Sequence, residues 1–239
     1  MTESEWLSCS APVQMLRALR GRVSDRKMRL FACACCRRVW RFIPDPRYRR
    51  VGEVAERYAD GLVGEPERED VRAAGSQAGE EWRQESPGRT SMEAWLVMRA
   101  YRAASTTLVD DIGFWADHSL TEAARAEGIE LLMKENREQP SGDEFRRLIQ
   151  QLLAPYCEPL QCIMGNPFRA VSFDLKYRTS TVVALATTIY ESKSFELMPV
   201  LADALSDAGC DDEQILGHCR GAGEHYRGCW VIDLVLQKS

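Results

Sequence analysis

Two of the three histidines in this 239-residue chain share one short stretch with three cysteines: Cys210, His218, Cys219, His225 and Cys229. Imidazole nitrogen and thiolate sulfur are the donors zinc takes, four at a time in a tetrahedron. Cys210, His218, His225 and Cys229 are therefore the candidate metal ligands, with zinc as the candidate ion. The spacings contain no pair of the C-x₂-C kind that marks common zinc motifs. Buried core thiols and loop histidines account for the same residues with fewer assumptions.

A second group, Cys33-Ala34-Cys35-Cys36, puts Cys33 and Cys36 one helical turn apart. A shared ion there would need further ligands from Cys9, Cys157 or Cys162. Cys35 and Cys36 fall on an apolar stripe, and free cysteine packs as a small hydrophobe, so the reading is core. Nine cysteines in all, an odd number scattered through helical patterns, do not form a disulfide framework.

The third candidate is cationic. Residues 1–50 carry twelve Lys and Arg against four acidic residues, while the whole chain has a net charge of −5. Arg26, Lys27, Arg37, Arg38 and Arg41 share one side of a helix, which could follow phosphates and makes nucleic acid a conceivable partner. A chain acidic beyond residue 50 offers a simpler fate, neutralisation of that face by carboxylates of the same molecule. The turn Asn166-Pro167-Phe168-Arg169 presents Asn166, Phe168 and Arg169 as a second candidate contact surface, for another protein. Asp233, in an otherwise apolar tail, calls for a partner, and Arg227 is the expected one, forming a structural ion pair.

These residues need helices to position them, and helix signals run almost throughout. Pro12 suits a first turn and Gly21 a stop. Ser24 can cap a helix from about Asp25 to Ile43, with Met28, Phe31, Ala32, Cys35, Cys36, Val39, Phe42 and Ile43 on one side at helical period. Further helices are expected over 46–63 and between Pro66 and Glu85, followed by a turn or linker at Glu85-Ser86-Pro87-Gly88. Three capping boxes, Thr90/Glu93, Ser119/Glu122 and Ser141/Glu144, predict helices near 91–116, 120–136 and 142–154. Towards the C-terminus, Val182, Leu185, Ala186 and Ile189 share one face, and Phe195, Met198, Leu201, Ala202 and Leu205 another. Gly209 suits a left-handed helix end, and Asp211 to Glu213 a helix start. Cys229 to Leu236 reads as a short helix or a strand.

The segments Gly165-Asn166-Pro167-Phe168-Arg169, Leu201-Ala202-Asp203-Ala204-Leu205, Ala208-Gly209-Cys210, His218-Cys219-Arg220 and Arg227-Gly228-Cys229-Trp230-Val231-Ile232-Asp233-Leu234, with Arg29-Leu30-Phe31-Ala32-Cys33-Ala34-Cys35-Cys36-Arg37-Arg38 near the start, resemble a highly paralogous family of bacterial proteins to which no activity is assigned. The resemblance covers both ends, leaves a variable middle from about 65 to 150, and implies no catalytic residue.

The expected fold is all-α, an irregular multi-helix bundle of roughly eight to ten helices. Its expected halves are an N-terminal region 1–140 and a C-terminal module 141–239. No P-loop, dinucleotide-binding fingerprint, H-E-x-x-H or nucleophile elbow is present, so no common catalytic motif speaks for an enzyme. A non-enzymatic helical scaffold that engages another protein is the leading expectation. Zinc binding through the Cys/His cluster is the alternative, and nucleic-acid binding through the basic helix a weaker one. No apolar run approaches the ~20 residues that span a bilayer, and the acidic start is unlike a secretory leader, so a cytoplasmic protein without a membrane partner is expected.

Overall fold

Capping residues set most of the helix starts. The computed structural model describes residues 1–85, 91–137, 140–169 and 171–238, and among them there are helices and turns but no strand. The chain is an all-α multi-helix bundle, with thirteen α-helices among the described residues. No described helix is long and apolar enough to cross a membrane. The turn expected at Ser86-Pro87-Gly88 and the helix start at Thr90 lie outside the described residues.

The chain divides into two units, residues 9–157 and residues 1–8 with 158–239. The boundary expected at 140/141 falls inside the first unit. There Ile149 of α8 (Gly142–Leu153) packs against α7 (Ile112–Lys134) at Gly128, where an added Cβ would stand 2.7 Å from the Ile149 side chain. The Ser141/Glu144 capping box does start α8, but that helix packs back onto α7 instead of opening a new unit.

In the unit 9–157, α2 (Pro12–Leu19) begins on its proline, and Ser24 caps α3 (Asp25–Arg38) by accepting the Lys27 N–H. α3 lies against α4 (Pro46–Ala59), α6 (Met92–Ser105) and α7, and α5 (Glu65–Glu85) packs on α4. The expected stripe of α3 is buried from Met28 to Cys36, but so are Leu30, Cys33 and Ala34, because neighbours close on α3 from more than one side. Cys33 belongs to a core shared with Val51, Val54 and Leu108. Burial pushes all three thiols of the cluster up, that of Cys36 to about 12, and they behave as packing groups.

The Ser119/Glu122 pair does not begin a helix. α7 starts earlier, at Asp111, whose carboxylate accepts the Phe114 N–H, so Ser119 and Glu122 fall within its interior. The Ser119 hydroxyl lies 2.9 Å from the Ala103 carbonyl and 3.2 Å from that of Ala32, tying α7 to α6 and α3. The fully buried Glu122 carboxylate accepts from Arg99 and Arg125. Just beyond the end of α6, buried Arg29 and Arg68 donate to the carbonyls of Thr107, Val109 and Leu108.

In the other unit, α1 (Glu3–Leu7) carries a Thr2/Glu5 capping box and buries Trp6. α9 (Cys157–Met164), whose residues from Glu158 on belong here, is followed by α10 (Ser180–Ser192), α11 (Met198–Asp207), α12 (Glu213–Arg220) and α13 (Trp230–Leu236). The apolar sets read from the sequence form its core: Val182, Ala186 and Ile189 with Met198, Leu201 and Leu205, joined by Ile215, Val231 and Ile232. Gly209 ends α11 at φ +88°, a left-handed geometry that glycine adopts without Cβ strain, and Asp212 caps α12. The apolar tail is helix, not strand.

Candidate metal centre

Four segments of the unit 1–8/158–239 converge on one point. α9 supplies Cys162, the last turn of α12 supplies His218, the loop 221–229 supplies His225, and Cys229 stands at the start of α13. One donor atom from each of these four residues lies within 4.8 Å of every other, so the group could hold a metal ion. His218 Nε2 is 3.2 Å from Cys229 Sγ. His225 Nδ1 is 3.8 Å from Cys162 Sγ and 3.9 Å from Cys229 Sγ. The two imidazole rings meet almost at right angles, with centroids 4.8 Å apart.

Electrostatics favours thiolate at the centre. Burial alone would push the Cys229 thiol up. Hydrogen bonding with Cys162, His218 and His225, and the charge of His218, outweigh that and hold it well below the ordinary thiol range. Among the described residues His225 Nε2 is buried without a hydrogen-bond partner, whereas its Nδ1 faces both sulfurs. Nδ1 is therefore the nitrogen with work to do.

Of the four expected ligands, His218, His225 and Cys229 take part and Cys210 does not. Cys210 is buried in the apolar core, where its backbone N–H closes the end of α11 on the Leu205 carbonyl, and burial raises its thiol. The fourth member of the group is Cys162, a residue the sequence pattern links only to the Cys33 cluster. No spacing pattern points to it, because Cys162 lies 56 residues before His218 and reaches the cluster only through the packing of α9.

The other candidates are occupied within their own units. Arg26 pairs with Asp60 at 3.1 Å, and Arg37 makes two bonds to Glu56 at 2.9 and 3.1 Å. Arg38 pairs with Glu127 and Arg41 with Glu130, while Lys27 is half-buried at the start of α3. These four arginines therefore pair with carboxylates carried by α7 or by α4 and its C-cap, although Arg41, just beyond α3, stays half exposed. At the 166–169 turn, the Asn166 amide donates to Glu3 at 2.7 Å, Phe168 meets Trp6 edge-on, and Arg169 pairs with the same Glu3. Asp233 is buried in α13, and the Arg227 guanidinium lies 4.4 Å from the centre of the Tyr190 ring.

No family model, curated protein or solved structure matches the chain. The chemistry therefore has to be read from the site itself. A cavity of about 310 Å³ adjoins it, lined by Cys162, His218 and His225 together with Glu158, Gln161 and Glu224. A second, of about 450 Å³, meets the far side of His218 beside Trp6 and Trp230.

Proposed function

We propose that this is a zinc-binding helical protein in which Cys162, His218, His225 and Cys229 form a structural Cys₂His₂ site. One observation carries the reading, the mutual approach of the four donor atoms to within 4.8 Å. Two sulfurs and two imidazoles suit zinc better than the hard cations, which take oxygen. Two thiolates also balance the ion's double charge in a buried setting. Four protein donors fill a tetrahedron and leave no position for a reactive water, so the role supported is structural, not hydrolytic. Such an ion holds α9, the end of α12, the 221–229 loop and the start of α13 together, which suits a non-enzymatic protein that works through its surfaces.

Protein purified without chelator is expected to contain one zinc per chain. Cobalt substitution should give the intense visible absorption of a tetrahedral thiolate site. His218→Ala or Cys229→Ala should abolish both signals. A wild-type chain that purifies and reconstitutes without stoichiometric zinc would sink the proposal.

A further inference from the structure

The residue best placed to control the metal site is an acid that does not belong to the donor set. Glu158 stands four residues before Cys162 on α9, so the two share one face of that helix. Its Oε1 accepts the Glu224 backbone N–H at 2.7 Å. Glu224 immediately precedes the ligand His225, and its own carboxylate accepts the Tyr226 hydroxyl at 2.8 Å. The loop that carries His225 and leads to Cys229 is thus fastened to the helix that carries Cys162.

The fastening depends on a close approach. At Gly223 an added Cβ would lie 2.8 Å from Glu158 Oε1, so a side chain there would push the flexible end of Glu158 off its present position, with no need for the loop to move. The 310 Å³ cavity lies at the same place. Glu158, Glu224 and three of the four donors line it, whereas Cys229 is fully buried. An ion entering from solvent would meet the acid residues and the outer three donors on this side.

We propose that Glu158 is a positioning residue that latches the 221–229 loop over the metal site, and that opening this latch sets the rate at which zinc enters and leaves through the adjoining cavity. The proposal rests on the zinc reading. Loss of support behind metal ligands weakens binding about 10- to 100-fold, the scale expected here.

The test is zinc release from the full-length, one-zinc protein into excess EDTA, followed with a chromophoric chelator. Glu158→Ala and Gly223→Ala should each still bind one zinc and release it about 10-fold faster or more. Glu158→Gln keeps a carbonyl oxygen able to accept the Glu224 N–H and should stay near the wild-type rate, which a charge effect alone would not allow. Because both alanine variants break one contact, the double variant should be no faster than the faster single variant. Should Glu158→Ala fail to fold, the Gly223→Ala rate decides. Wild-type release rates in these variants, or rates that multiply in the double variant, would overturn the latch while leaving the zinc site standing. A wild-type chain that takes up no zinc would overturn the reading beneath it.

Discussion

His225 Nδ1 lies 3.8 Å from Cys162 Sγ, although 63 residues separate them in the chain. That contact adds a fourth donor to the cluster of His218, His225 and Cys229, and so completes the set on which the proposed zinc site rests. It separates two cysteines that look alike in sequence. Cys162→Ser should lose stoichiometric zinc, whereas Cys210→Ser should retain it and show only the instability of a buried thiol replaced by a hydroxyl. Metal analysis of the two purified variants checks this. Zinc retained by Cys162→Ser, or lost only from Cys210→Ser, would return the ligand set to the 210–229 window.

The local signals in the chain were legible where a single helix decides the outcome. Ser24 and the Ser141/Glu144 box start helices because a cap needs only its own first turn. Ser119/Glu122 has the same pattern but sits inside α7, because Ser119 bonds to carbonyls of two other helices and Glu122 to arginines from α6 and α7. Periodicity likewise found one buried side of α3 and missed Leu30, which is covered by neighbours that no helical repeat encodes. Three members of the proposed donor set, His218, His225 and Cys229, sit close together in sequence, so their grouping is visible there. The fourth comes from a separate helix, and only the packing of α9 beside α12 and the 221–229 loop brings it in.

Gly52 tests how tightly α4 and the segment after α3 are fitted. An added Cβ there would stand 2.7 Å and 3.1 Å from two atoms of the Trp40 indole, a rigid ring with Arg37 stacked 4.0 Å from its centre. Alanine favours helix by about 1 kcal/mol over glycine, but overpacking costs about 1–3 kcal/mol. The clash should win, because an indole cannot swing its far edge aside as an aliphatic chain can. Urea unfolding of Gly52→Ala should therefore show net destabilisation. A variant as stable as the wild type would mean that Trp40 moves freely.

The pairing of the basic first segment with the rest of its unit should be visible in the pH dependence of stability. The hydrogen bond from Arg41, reinforced by Lys134, holds the Glu130 carboxyl below its ordinary value. A carboxyl depressed in the folded state contributes stability above its unfolded pKa, about 4.3, and loses it as pH falls through the lower folded value. Glu130→Gln should cost about 0.5 kcal/mol at neutral pH, since Arg41 is half exposed and the pair is screened. The gap between variant and wild type should close as the solution is made more acid than that unfolded value. Denaturant titrations at several pH values measure it. A gap that widens in acid would contradict the assigned sign.

Metal removal should loosen one part of the molecule more than another. If the ion ties α9 to the 221–229 loop and the start of α13, binding adds stability as the logarithm of free ion over the dissociation constant, about 4 kcal/mol at a 1,000-fold ratio. That contribution goes to the segments the ligands join, because a site of this kind is not preformed in the unfolded chain. Hydrogen exchange with and without EDTA should show backbone amides of residues 213–236 losing protection. The amides of α3 and α7 are held by their own buried ladder and by Ser119 and Glu122, and should exchange as before. Equal loss of protection across both sets, or none in either, would mean that no ion organises the C-terminal helices.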